Sequence, residues 1–390
     1  MKFKFALATL ALLGAAVIGG PASAQTQGVS KDRITLGSIQ DLSGAVALFS
    51  KQLKNGMQLR VDEANEQGGI NGRKLVIKYE DAGYDPARAL LAAQKLVSQE
   101  KVFMMIANIG TAPNVAIFPA LAEKNIVNYD PISAALEMYA PPHEQLKYSF
   151  ATPYYDQIRV AAPRQVKEKG AKQICLIYQD DDFGLEVRRG AQDGLKTIGM
   201  KLAETASFKR GATDFSSQVA RMKAANCDFV VLGTIIRETV AVMNEARKTG
   251  FNPTFLGSSA AYTELVHKLG GKATDGLYAV MTVQTPYIDD SSPAIRAWAA
   301  KYKAKFGEDP AVYSVYGYEA VDTFVKAALK VGPDLTTENF IKTMDSITLP
   351  TDIFGSPEFS FSPTKRLGSQ QVRLSQIQNG RWKVVSDYWK

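Results

Sequence analysis

Apolar residues recur along this chain in two rhythms. The run Ile34-Thr35-Leu36-Gly37-Ser38-Ile39 is apolar almost throughout, whereas Phe49, Leu53, Met57 and Val61 return every four residues. The first pattern predicts a buried strand, the second the inner face of an amphipathic helix. Alternation of these two patterns continues. A strand over 75–79 precedes a helix opened by Pro86, which turns Leu90, Ala93 and Val97 inward. A strand at 103–107, a helix at 115–123 and a strand at 126–129 follow. The series then begins again, with strands at 173–178, 201–207, 228–233, 253–256 and 277–281. Helices at 183–198, 215–225 and 239–248 separate them. Strands this apolar, separated by helices, predict parallel sheets covered on both faces: an α/β protein of two doubly wound, Rossmann-like lobes. Two later helices, 291–306 and 316–330, are too little for a third domain.

Residues 1–24 change the picture of the compartment. Lys2 and Lys4 precede an uncharged apolar run, and Ala22-Ser23-Ala24 has the small side chains of a cleavage site. A secretory signal peptide is expected there. An uncleaved anchor is the rival reading, but Pro21 and its small neighbours favour cleavage. Losing Lys2 and Lys4 takes the net charge from +7 to +5. That excess is interleaved with acids, and no basic stripe or reading motif for nucleic acid appears. The remaining 366 positions, 25–390, are long for one core and suggest two domains. Only two cysteines are present, Cys175 and Cys227. In an oxidising compartment they pair or stay as buried thiols, and the sequence leaves both open.

Catalytic chemistry is thinly supplied. Neither a Gly-x-Ser-x-Gly elbow, nor a phosphate loop, nor a Gly-x-Gly-x-x-Gly turn occurs, and the two histidines, His143 and His267, lie far apart. Asp180-Asp181-Asp182 invites a metal reading, yet its place between a strand and a helix fits a solvated turn with an N-cap better. The chain reads as a binding protein without cofactor or metal.

One segment is more specific. In 66–86, Gly68-Gly69 ends a helix, Asn71-Gly72 makes a tight turn, a strand delivers an acidic loop, and Pro86 opens the next helix. This ordered string resembles the corresponding segment of periplasmic solute-binding proteins of the branched-chain amino-acid (leucine/isoleucine/valine) transporter family. The resemblance implies a type I periplasmic binding fold whose chain crosses between lobes three times, near 152, 283 and 346. The first lobe would then hold 25–152 and 284–345, and the second 153–283 and 346–390. It also implies a ligand cleft between the lobes, a hinge that closes on a small molecule, a periplasmic location and a monomer. The implied partners are an inner-membrane ABC permease and its ATPases. A ligand-sensing receptor subunit is the alternative of another class.

Ligands of open α/β sheets bind beyond the carboxyl ends of the strands. Thr111 stands there, at a helix start suited to an anion, and matches the family's carboxylate-binding hydroxyl; simple helix capping is the plainer reading. By the same resemblance Ile109 and Thr111 lie in the loop after the third strand. Ile132 offers a carbonyl, with Ser133 supplying a hydroxyl displaced by one place. Ser259 occupies the place of the glutamate that pairs with an amino acid's ammonium, and Ile235 that of a tyrosine. Phe49, Phe183 and Tyr155 supply apolar or aromatic walls, and Arg237 is a candidate partner for a carboxylate. An ammonium buried without a carboxylate is penalised by several kcal/mol. The expected ligand is therefore a small carboxylate with a hydrophobic or aromatic body, of benzoate or cinnamate type. A hydrophobic or branched-chain amino acid is the alternative.

Overall fold

The structure is a computed structural model that describes residues 26–389. The expected signal peptide lies outside the described residues. β1 (Arg33–Gln40), α1 (Ala47–Glu66), β2 (Lys74–Asp81), α2 (Pro86–Ser98), β3 (Met105–Ile106), α3 (Thr111–Glu123), β4 (Asn128–Tyr129) and β5 (Lys147–Tyr148) build the first lobe. Their strands form a parallel sheet in the order β2-β1-β3-β4-β5. The diagnostic segment behaves as its residues require. Gly68, Gly69, Asn71 and Gly72 all have positive φ, and a Cβ on Gly69 would run into the Arg73 carbonyl. Asp85 caps α2 by accepting from the Arg88 N–H, with Pro86 in the first turn. Leu90 is only half-buried; Ala89, Ala92, Ala93, Leu96 and Val97 form the inner face instead.

The second lobe opens with α4 (Tyr154–Lys169), β6 (Ile174–Gln179), α5 (Asp182–Lys196), β7 (Glu204–Phe208) and α6 (Ser216–Ala224). β8 (Phe229–Gly233), α7 (Ile236–Lys248), β9 (Thr254–Gly257), α8 (Glu264–Gly270) and β10 (Tyr278–Met281) continue it. Its sheet runs β7-β6-β8-β9-β10 in parallel. An antiparallel hairpin, β13 (Arg373–Gln378) and β14 (Arg381–Val384), then extends that edge, turning at Asn379-Gly380. The parallel sheets expected from the sequence are found, with this antiparallel hairpin added at one edge. Cys175, in β6, is bonded to Cys227, just before the neighbouring β8, with Cα atoms 5.9 Å apart. The buried-thiol alternative is thereby set aside.

Between these elements the chain returns to the first lobe. α9 (Pro293–Phe306), α10 (Val312–Val331) and α11 (Thr337–Met344) follow β10. α10 lies against α1 with backbone nearly touching backbone. A Cβ on Gly56 would strike the Ser314 carbonyl, and one on Gly317 would strike that of Leu53. Phe49 stacks on Tyr313 across the same seam, with ring centres 3.9 Å apart. The third crossing comes later than the expected 346. The short strands β11 (Thr348–Leu349) and β12 (Phe359–Ser360) still pack on the first sheet, because Phe359 and Phe361 bury against Phe150 and Tyr148. Leu367 bridges to Ser149, and the return to the second sheet is made only at β13.

The disulfide closes a loop spanning 52 residues. Replacing Cys175 and Cys227 together by alanine should lower the unfolding free energy by about 2–4 kcal/mol, from the freed loop of the unfolded chain. Urea unfolding of the second lobe measures it; an unchanged midpoint would mean that the bond adds nothing to stability.

Candidate ligand-binding site

Parallel strands all point the same way, so every loop that leaves a carboxyl end emerges on one edge of its sheet. Here the two edges face each other. The loops after β1 to β4 supply Val46, Tyr84, Ile109, Gly110, Thr111 and Ile132 to a small chamber of about 30 Å³. Phe183 after β6, Ile235 after β8 and Ala260 after β9 close it from the other side, with Tyr154 and Tyr313 completing the wall. A larger chamber of about 80 Å³ adjoins it on the hinge side and shares Ile132, Tyr154 and Tyr313. Ser133 and Ser259 line this second space, together with all three crossing segments.

Two helices begin at the small chamber without a side-chain cap. α3 starts from Gly110 and α7 from Ile235, whereas α5, beside them, is capped by Asp181, which accepts from the Gly184 N–H. Among the described residues no group accepts from the N–H of Thr111 or Ala112, or of Ile236 or Arg237. The positive ends of two helix dipoles therefore meet over one space, from opposite lobes. Thr111 and Ser133 join their hydroxyls at 2.7 Å beside it. Among the described residues no acidic side chain lines the small chamber.

Of the residues singled out from sequence, Phe49, Ile109, Thr111, Ile132, Phe183 and Ile235 come together in the small chamber, and Ser133 and Ser259 in the larger one. Phe183 also packs edge-on to Tyr154 at 4.9 Å, so its core role and its cleft role coincide. Tyr155 is not in either lining. Its hydroxyl donates to Asp193 at 2.9 Å, and the preceding Tyr154 faces the cleft in its stead. Arg237 is exposed and lines neither chamber, because α7 starts three residues earlier than its apolar period suggests and sends this position outward. Ser259 is held at both ends by Gln157, whose amide donates to its hydroxyl at 2.9 Å and accepts from its N–H at 2.8 Å. The carbonyl of Ile132 already accepts the Gly110 N–H.

Residues 33–381 match the model of the family described as periplasmic binding protein. The chain belongs to that family. Its members bind solutes for ABC transporters and are not enzymes. Among curated relatives, the Leu/Ile/Val-binding protein homolog 7 of Brucella suis is 26% identical, over 85% of this chain and 82% of its own. The Leu/Ile/Val/Thr-binding protein of Salmonella typhimurium is 28% identical, over 69% and 73%. Two solved structures share the fold of this periplasmic binding protein. One is a fatty acid ABC transporter substrate-binding protein from Thermomonospora curvata (TM-score 0.84, 21% identity, 94% of both chains). The other is a branched-chain amino acid ABC transporter from Thermus thermophilus with bound valine (TM-score 0.83, 18% identity, 93% and 97%).

The lobes of this binding protein are clasped on two sides of the cleft. Arg210, after β7, donates to the Tyr84 carbonyl of the first lobe at 2.9 Å, pairs with Asp181 at 2.9 Å and lies over the Tyr84 ring. On the opposite side Gln52 of α1 donates to Glu264 of α8 at 3.1 Å, and the Val312 N–H donates to the same carboxyl. Sequence reading missed Tyr84, Tyr313, Arg210 and the acids of the larger chamber, Asp130 and Glu319. Tyr313 had a signal, since α10 simply starts one turn earlier than its apolar period.

Burial pushes the Asp130 carboxyl up from 3.8 to about 8. Between those values the folded protein holds a proton that the unfolded chain has released, so this group makes stability fall as pH rises. Asp130→Asn removes the effect. Its gain in melting temperature over the parent protein should be larger at pH 8 than at pH 5 by calorimetry; equal gains at both would mean that Asp130 is solvated in the fold.

Proposed function

We propose that this chain is the solute-binding subunit of an ABC importer for a small carboxylate with a hydrophobic or aromatic body, of benzoate or cinnamate type. The observation that carries this reading is the small chamber. It offers two uncapped helix starts and the Thr111–Ser133 hydroxyl pair to an anion, apolar walls to the rest of a ligand, and no acid to an α-ammonium. The proteins named above differ in cargo, one taking fatty acid and another valine. A carboxylate on an apolar body is common to both. A hydrophobic amino acid is the second reading, favoured by the names of the curated relatives. At the small chamber its ammonium would meet no acid among the described residues, and the Ile132 carbonyl there already accepts the Gly110 N–H.

In operation, an open form admits the ligand and the lobes hinge shut over it, because the ligand touches loops of both lobes only when they meet. The Arg210–Tyr84 contact then seals the mouth. The closed pair of lobes presents a composite surface to an inner-membrane permease and its ATPases. The protein works as an exported monomer after removal of residues 1–24.

A thermal-shift screen of aromatic acids, aliphatic acids and amino acids tests the ligand class. Carboxylates lacking an amine should raise the melting temperature by mass action; a response confined to leucine or valine would overturn the reading. Thr111→Val should weaken the best carboxylate about tenfold, the value of one lost charge-assisted hydrogen bond. Arg237→Ala should leave its affinity unchanged. Arg210→Ala should speed dissociation in stopped flow more than it slows association.

A further inference from the structure

The larger chamber contains chemistry that the small one lacks. Asp130, immediately after β4, and Glu319, on α10, both line it. Asp130 is half-buried with its carboxyl against this space, and Oε1 of Glu319 is buried without a partner. The remaining wall is aromatic, with Tyr154, Tyr313, Tyr316 and Phe150 around the same space. A buried carboxyl oxygen without a donor, as in Glu319, is an unfavourable thing to retain in a fold. Aromatic faces beside it add attraction for a cation. The chamber adjoins the anion-suited one and shares Ile132, Tyr154 and Tyr313 with it. Ser133, paired to Thr111, sits at the junction.

Resting on the carboxylate reading above, we propose that the ligand carries an amine at the end remote from its carboxylate, and that Asp130, supported by Glu319, receives it in the larger chamber. The ligand class is thus an ω-amino carboxylate with an apolar or aromatic body, not an α-amino acid. Its carboxylate lies at the starts of α3 and α7, and its body passes between Ile132 and Tyr313. Its ammonium reaches the hinge side. The charges around Glu319 are acidic: Asp130 after β4, Asp322 on α10, and Asp352 between β11 and β12. Arg60, the nearby cation, is committed to Asp322 at 2.8 Å. Burial raises the Asp130 carboxyl to about 8, so it holds a proton at neutral pH when no ammonium is present. When the ammonium arrives, the proton leaves Asp130 for solvent and a carboxylate–ammonium pair forms, so binding releases one proton.

Two matched acids test this by calorimetric titration of the full-length mature protein: 4-(aminomethyl)benzoate and 4-methylbenzoate, at pH 6.5 in two buffers of different ionisation enthalpy. The amine-bearing acid should bind at least about tenfold more tightly. Its binding should release close to one proton, while the methyl acid releases none. In Asp130→Asn, which the stability argument above expects to fold at least as well, the preference and the proton release should both vanish. Thr111→Val should weaken both acids alike. Equal binding of the two acids to the parent protein overturns the remote amine and leaves the carboxylate reading standing. Binding of leucine but of neither acid overturns both. An undiminished preference in Asp130→Asn removes Asp130 from the site.

Discussion

Strand direction is the constraint on which this molecule depends. Each lobe is a parallel sheet, so each has one edge where strands end and helices begin, and backbone amides without acceptors collect there. Facing two such edges across a hinge brings the starts of α3 and α7 to one small space. The free backbone amides of the cleft follow from that placement. Where a helix start is capped, as α5 is by Asp181, its field is already answered; where the cap is Gly110 or Ile235, the field is left for a ligand. The difference lies in three loop residues, not in the fold.

The two chambers divide the electrostatic labour. One side is positive through peptide dipoles and, among the described residues, carries no carboxyl in its lining; the other carries Asp130 and Glu319 among aromatic rings. Burial pushes both carboxyls up, Asp130 to about 8 and Glu319 well above its ordinary value, the latter raised further by Asp352. The result is a carboxyl oxygen, Oε1 of Glu319, that has no partner within the protein.

Much of this was legible in the chain. The four-residue recurrence through Phe49, Leu53, Met57 and Val61 and the apolar runs of β1, β6 and β8 predicted both sheets, since these patterns are imposed by burial alone. The Gly68 to Pro86 string predicted its own turns, because positive φ at Asn71 and Gly72 is a local demand. Six of the ten candidate residues met in the small chamber and two in the larger one because loop position after a strand is a topological fact. Tyr155 and Arg237 were placed otherwise because helix phase, which decides between neighbours such as Tyr154 and Tyr155, is not contained in position along the chain. The late return of the chain at β13 was hidden as well. Phe359 and Phe361 look like any apolar pair until Tyr148 and Phe150 are seen beneath them.

The interlocked glycines of α1 and α10 have a consequence for how the molecule is made. Gly56 and Gly317 fit only against each other's helices, yet more than two hundred and fifty residues separate them. The lobe that begins first is therefore the last to be finished. Its sheet is complete by β5, but its outer layer must wait until the whole second lobe has passed. Until α10 arrives, Leu53, Met57 and Val61 have only half their cover. During synthesis the first lobe is an exposed apolar surface in search of a distant partner, and closing it is a long-range event of the slow kind. The contact that makes the first lobe's wall of the cleft stiff in the finished protein thus makes the unfinished one vulnerable.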